Sequence, residues 1–249
     1  SEVDRSAYLT AAIAIGREIS NASGKALRNV LRLRSGQLNV AGDLEVGHTG
    51  LANLIITGVV EQTGGTLIHA SGNLRAPISA SAVGIYRLEG GLFTIQNTSD
   101  SLFLGGRDGA AKGFITLTGG VFTNKGASLV GSYTRGYGAI DINGGQAVFE
   151  RTLACGAAAS STGSVSLTDG TLALQTASAT LNLGNASNAL GLATVSGGQL
   201  YAPGRTLNIG SAAFGVGVLV QNGGLITNAN TYVGAASTAS GLMIVSNGD

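Results

Sequence analysis

The sequence predicts an all-β fold: a single three-sided parallel β-helix, or β-solenoid, of about nine coils of about 26 residues. Three observations predict it. The composition is rich in glycine and nearly free of proline, two glycine markers recur at near-constant spacing, and apolar residues alternate with polar ones between them.

The composition comes first. Among 249 residues there are 41 glycines and 2 prolines, which excludes collagen and a proline-rich linker. Charged residues make up 11% and hydrophobic residues 44%, the opposite of a disordered chain, so the sequence reads as ordered, turn-rich and weakly charged. A net charge of +1 gives no electrostatic case for nucleic acid or a membrane surface. No run approaches the roughly 18 apolar residues of a membrane span, so no membrane insertion is expected. From Thr171 onward only Arg205 and Asp249 are charged. A surface so poor in charge suggests contact with further copies of the chain or with a matrix. The one cysteine, Cys155, excludes an internal disulfide framework.

The glycine markers come second. An apolar pair leads into a glycine turn in "LRLRSG", "VVEQTGG", "YRLEGG", "ITLTGG", "IDINGG", "VSLTDG", "ATVSGG", "VLVQNGG" and "MIVSNG", ending at Gly36, Gly65, Gly91, Gly120, Gly145, Gly170, Gly198, Gly224 and Gly248. Between these lies a second marker, a pair closed by a single glycine, as in "LEVG", "LFLGG", "LACG" and "LNIG". One copy departs: "NLRA" at 73–76 places Arg75 where glycine is expected, which with Pro77 predicts an irregular coil around Asn73 to Val83. Three sharp corners per coil would need backbone conformations that glycine, and sometimes asparagine, tolerates.

The alternation comes third. Period two sends successive side chains to opposite faces of a strand. Three such segments per repeat fit one coil of a parallel solenoid better than hairpins, which need paired runs. The inward columns read Leu33/Leu31, Leu88/Tyr86, Leu117/Ile115, Ile142/Ile140, Leu167/Val165 and Val245/Met243 on one face. On another they read Ile15/Ile13, Val46/Leu44, Leu104/Leu102, Cys155/Leu153, Leu183/Leu181 and Ile209/Leu207. Gln62 and Gln221 fall in inward positions. Either they cap a local polar site, or their strands are shifted by one and Val220 points inward instead.

Candidate chemistry is sparse. The acids Asp43, Glu61, Glu89, Asp100, Asp108, Asp141, Glu150 and Asp169 are scattered, and Asp141 would stack between Thr116 and Ser166. No acid pair on adjacent coils supports general acid–base work, so no catalytic residue, metal site or cofactor is expected. His48 reads as a solvated turn residue, and no cluster makes a zinc site of His48 and His69. Cys155 reads as a small core residue. "GGRDGAAKG" (105–113) reads as a loop. "GSYTRGYG" (131–138) would set Tyr133, Arg135 and Tyr137 beside Arg107 and Lys112, an exposed aromatic and basic patch suited to stacking on a sugar or to packing on a neighbouring subunit. Asn21, Asn97 and Asn185 open glycosylation sequons, meaningful for a secreted chain.

The units "LNVAGDLEVGHTGLANLIITG" and "LNIGSAAFGVGVLVQNGGLITNANTYVG" resemble the glycine-rich β-solenoid repeats of bacterial autotransporter passengers and related secreted surface proteins. The resemblance runs from about Thr10 to Asp249. It implies extracellular or cell-surface display, adhesion or matrix building.

The chain is expected to form one domain over 1–249, with an incomplete first coil at 1–16 and an open last coil at 241–249. "YLTAAIAIG" matches the middle strand of the repeat, and "SGLMIVSNGD" stops after a strand and its turn. Val3, Tyr8, Leu9, Ile13 and Ile15 are therefore expected to complete Leu242, Met243, Ile244 and Val245 of another copy. The function expected is a structural subunit polymerising head to tail into an extracellular filament or surface matrix. The alternative is an adhesive or carbohydrate-binding module of a larger secreted surface protein.

Overall fold

Because every second side chain of each short segment is apolar, each segment has one face to bury, and stacking equivalent segments buries them all at once. In the computed structural model, which describes residues 2–3, 7–9, 13–18, 27–49, 56–79, 81–106 and 111–247, the segments are parallel strands on three faces. The first turn holds β1 (Glu2–Val3), β2 (Ala7–Leu9) and β3 (Ile13–Glu18), one on each face. The same order continues through β4 (Leu27–Leu33), β5 (Gln37–Val40), β6 (Leu44–Thr49), β7 (Ile56–Gln62), β8 (Thr66–His69) and β9 (Leu74–Ala76). It repeats in β10 (Val83–Leu88), β11 (Leu92–Ile95), β12 (Asp100–Leu104), β13 (Lys112–Leu117), β14 (Val121–Asn124) and β15 (Ala127–Val130).

Beyond this point strands run through corners. β16 (Tyr137–Phe149) and β18 (Thr162–Leu174) each cover the first and second faces, with β17 (Leu153–Cys155) and β19 (Thr180–Leu183) on the third. β20 (Leu190–Val195), β22 (Val216–Gln221) and β24 (Ser240–Val245) return to the first face. β21 (Gln199–Ile209) and β23 (Leu225–Val233) cover the second and third. From β4 to β24 the chain makes eight turns, and β1 to β3 lie before them as one further, partly described turn. With a rung spacing of about 4.8 Å, eight turns span roughly 40 Å.

The expected inward columns hold. Leu33, Leu88, Leu117, Ile142 and Leu167 are buried on the first face, and Val46, Leu104, Cys155, Leu183 and Ile209 on the third. Inside, Tyr86 stacks on Phe93 at 4.4 Å, Phe93 meets Phe122 at 5.2 Å, and Phe122 meets Phe149 edge-on at 5.8 Å. Burial of each large apolar side chain contributes roughly 1.5–3 kcal/mol.

Gln62 and Gln221 are settled by register. Leu88 pairs with Gln62 and Val195 with Gln221, so neither strand is shifted and Val220 faces outward. Both are buried polar caps. Gln62 Nε2 donates to the carbonyls of Gly65 (3.2 Å) and Leu92 (3.0 Å), while its Oε1 accepts from the Tyr86 hydroxyl (2.5 Å). Gln221 Nε2 donates to the Gly224 carbonyl at 3.1 Å. A buried amide is tolerated when its atoms are bonded, and in both strands the corner carbonyl three residues on supplies a partner.

Three expectations are corrected. The coil at Asn73 is not irregular at its strand: β9 pairs with both neighbours, and register puts Pro77, not Arg75, level with Gly47 and Gly105. Arg75 points outward and pairs with Asp43 at 2.5 Å. Next, positive φ is concentrated at two corners of each coil, and Gly72 and Gly204 are the exceptions at the third among the described residues. At one of these corners a side chain other than glycine often takes the left-handed turn: Arg135, Ser160, Asn188, Phe214 and Thr238, each four residues after a corner glycine. Glycine and asparagine are thus not the only residues used. Finally, the segment from Tyr8 to Ile15 is not one strand. It contributes to β2 and β3 on different faces, and β1 occupies a place on the first face ahead of them.

A second glycine column went unforeseen. Gly58, Gly84, Gly113, Gly138, Gly163, Gly191, Gly217 and Gly241 stack on the first face, where the turn of the third face presses against it. At Gly191 an added Cβ would lie 2.1 Å from Gly184 N and 2.5 Å from the Cys155 carbonyl oxygen. Backbone fills that space, so only glycine fits.

Candidate functional site

Strand periodicity decides which expected residues meet. In β24 the partners of Leu242, Met243, Ile244 and Val245 are Val218, Leu219, Val220 and Gln221. Met243 and Val245 therefore continue the inward columns, and Met243 packs against the core, while Leu242 and Ile244 take outward positions on the side of the rod. At the other end Val3 is level with Leu33, Tyr8 with Asn39, Leu9 with Val40, Ile13 with Leu44 and Ile15 with Val46. Ile15 is buried and Ile13 packs against the core. The side chains of Val3, Tyr8 and Leu9 lie outside the described residues.

The expected aromatic and basic patch is divided by a corner. Lys112 and Tyr137 are register partners on the outside of the first face, and Tyr137 leans on Phe114 with ring centres 5.8 Å apart. Tyr133 lies on the other side of the turn, 6.4 Å from Phe103, whose ring carries the Arg75 guanidinium at 5.8 Å. Arg135 sits exposed at the tip between them. Arg107 lies outside the described residues. Asn97 is already engaged: its Nδ2 donates to the Gly72 carbonyl at 2.8 Å and its Oδ1 accepts from Ser99 N at 3.1 Å. Asn185 Oδ1 accepts from the Ser211 hydroxyl at 3.2 Å, and Asn21 lies outside the described residues.

Outward columns of the first face change character along the rod. The early rungs carry Arg28, Arg32, Glu61, Arg87 and Lys112; the late ones carry Leu190, Leu192, Val216, Val218, Val220, Leu242 and Ile244. Glu61 is the centre of the charged end. Arg32 Nε donates to its Oε2 at 2.8 Å, and Arg28 Nη2 and Arg87 Nη1 each donate to Oε1 at 3.4 Å. The Arg32 hydrogen bond holds the Glu61 carboxyl below its ordinary range.

A second cluster lies on the third face. Asp43 and Glu45 flank Arg75 at 2.5 Å and 4.0 Å, and Glu45 Oε2 meets His48 Nδ1 at 2.5 Å. His48 is thus a half-buried strand residue hydrogen-bonded to Glu45 rather than a solvated turn residue, and Glu45 is an acid absent from the scattered set read from the sequence. The i, i+3 spacing of Glu45 and His48 across the corner glycine was the available signal. His69 is buried inward on β8, its Nε2 bonded to the Gly42 carbonyl at 2.7 Å and its Nδ1 without a partner. Burial lowers its pKa.

Cys155 is fully buried, which pushes its thiol up to about 12; that chemistry suits packing and not nucleophilic attack. Asp141 stands between Thr116 and Ser166, as the spacing predicts, and partial burial raises its pKa. Among the described residues no group of three or more His, Cys, Asp or Glu side chains is placed to hold a metal ion, and no helix is long and apolar enough to cross a membrane.

No protein-family model, curated protein or solved structure matches the chain.

Proposed function

We propose that the protein is a non-enzymatic structural subunit of an extracellular filament or surface matrix, extended head to tail by stacking of solenoid coils. The observation that carries this reading is the uniformity of the coil-to-coil contact. β18, β20, β22 and β24 pair on the first face over six consecutive residues with no shift of register. Each step needs backbone hydrogen bonds and a like side chain above and below, so a coil from another copy would meet the same surface as one from the same chain. An apolar outer side at Leu190, Val216 and Val218, in a region of the chain nearly devoid of charge, favours packing into a matrix. The extracellular setting rests on the likeness of the repeats to those of bacterial surface proteins.

Register also refines the joint. β1 aligns with the end of β4, the same place on the first face that β24 occupies in its own coil. For β2 and β3 of one copy to follow β24 of another, residues 2–3 must give up that place. Light scattering across a concentration series tests the reading. Wild type is expected to form end-to-end species that Met243→Asp abolishes, while deletion of residues 1–5 strengthens them. Discrete monomers of wild type at high concentration would overturn it.

A second reading, an adhesive carbohydrate-binding module, is favoured by one observation: the exposed Tyr137 ring resting on Phe114 beside Lys112.

A further inference from the structure

The outer side of the first face carries more than that aromatic pair. From β4 to β16 its three outward columns read Arg28, Thr57, Val83, Lys112 and Tyr137; then Val30, Val59, Ile85, Phe114 and Ala139; then Arg32, Glu61, Arg87, Thr116 and Asp141. The middle column is an apolar floor below the flanking side chains, with Val59 and Ala139 buried and Val30, Ile85 and Phe114 partly exposed. Cations flank it on both sides, and the track ends on Tyr137. Four rung steps make it about 19 Å long.

The arginines are arranged rather than scattered. Three guanidinium groups converge on one carboxylate, which leaves two positive charges in excess. Their side chains remain 55%, 49% and 44% exposed, while Glu61 beneath them is only 19% exposed. Glu61 therefore anchors the three from below. Each guanidinium has five donors and spends one on Glu61 in these pairs, so each keeps donors for a second oxyanion.

We infer that this track binds an acidic polysaccharide, a polymer of uronic acid or sulfated sugar residues, lying along the solenoid axis from Arg28 and Arg32 to Tyr137. The inference rests on the carbohydrate reading of Tyr137 and names its ligand class. A sugar ring lays its C–H face on the Tyr137 and Phe114 rings, while carboxylates or sulfates meet Arg28, Arg32, Arg87 and Lys112. Arg32 and Arg87 are two rungs apart, about 9.6 Å, a separation set by the solenoid itself. Two surplus charges give modest attraction to any polyanion, so the stacking contact at Tyr137 and Phe114 carries the choice of a sugar polymer, and single-stranded DNA is the comparison that tests it.

The test uses the full chain against immobilised polygalacturonate, heparin, a neutral β-glucan and single-stranded DNA at physiological salt. Binding to polygalacturonate, to heparin or to both is expected, and the pair tells carboxylate from sulfate recognition. The triple variant Arg28→Gln, Arg32→Gln, Arg87→Gln should lose roughly tenfold or more of it, and Tyr137→Ala several-fold. Circular dichroism should stay at wild type in both variants, with only a small drop in the triple variant's melt from loss of the Glu61 pairs, and show that the loss is local. Equal binding of the neutral glucan, lost in Tyr137→Ala and unchanged in the triple variant, would overturn the charge inference and keep the carbohydrate reading. Binding to none of the glycans would overturn both. DNA bound as tightly as the acidic glycans would reduce the track to a bare cationic surface and overturn the inference.

Discussion

Between Gly131 and Gly241 the chain repeats one coil with little variation, whereas between Leu27 and Val130 successive coils are joined differently. In the later region each corner glycine is followed by an inward glycine seven residues on: Gly131 and Gly138, Gly156 and Gly163, Gly184 and Gly191, Gly210 and Gly217, Gly234 and Gly241. In the earlier region the same interval is eleven from Gly47 to Gly58 and eight from Gly105 to Gly113. The two regions hold together by different means. The earlier coils use side chains: the aromatic column from Tyr86 to Phe122, the Glu61 and Arg75 ion pairs, and a buried chain in which Ser101 Oγ donates to Asn124 and Asn124 Nδ2 donates to Ser128, both at 2.7 Å. The later coils rest on backbone: the glycine column, which runs through both regions, a constant turn, and unshifted register along the first face. A regular lattice needs little charge; a broken one recruits partners across coils.

The largest effect is expected in the earlier region. Phe122 touches rings on both sides, so Phe122→Ala should cost about 3–5 kcal/mol, read by urea unfolding. Next comes the later region's own support. Gly191→Ala drives a methyl into backbone at 2.1 Å and should cost more than about 3 kcal/mol. Gly204→Ala is its control, because that site has φ +69 but nothing within 4 Å, so only the left-handed backbone cost of about 1–2 kcal/mol applies. If the two alanines cost the same, the glycine column is not what packs these coils.

Acid should separate the regions more gently. Burial holds the His69 pKa below the ordinary 6.5, against smaller opposite pulls from the Gly42 carbonyl and Asp43. Below about pH 6.5 the unfolded chain takes up a proton that folded His69 resists. Stability is therefore lost as pH falls, by up to about 1.4 kcal/mol per unit. His69→Val should remove that part of the acid sensitivity in a pH series of melts. The later region has no histidine and should not show it. The smallest effect is a gain. Ser160 has φ 56, and Ser160→Gly should stabilise by about 0.5 kcal/mol once the greater freedom of the unfolded chain is deducted.

The solenoid was legible because period two and the two glycine markers act locally, and because stacking like on like makes each inward column visible as a column of letters. What escaped were features set by contacts between coils. Gly191 and its column stand seven residues before each double-glycine end, a signal present in the sequence but outside the apolar pairs that mark the strands. The left-handed turns at Ser160, Phe214 and Thr238 carry no local preference; loop length imposes them. Arg75 was misassigned because alignment by residue type competes with alignment by strand position, and the ladder obeys position. Of the candidate patch, Lys112 and Tyr137 were legible from coil spacing. Tyr133 was not placed, because a turn of four residues sends its ends to two different faces. The Glu61 cluster was missed because Arg28, Arg32 and Arg87 are spread over sixty residues and meet only across rungs.

Hydrogen exchange resolved along the chain, comparing wild type with Gly191→Ala, tests the central claim that coils are held by their neighbours through a backbone lattice. The expected result is protection across the coils from β13 to β22 in wild type. In the variant, protection should fall in β18 to β22 and stay unchanged in β7 to β11. Loss of protection spread evenly over the whole chain, or no loss beside residue 191, would contradict it.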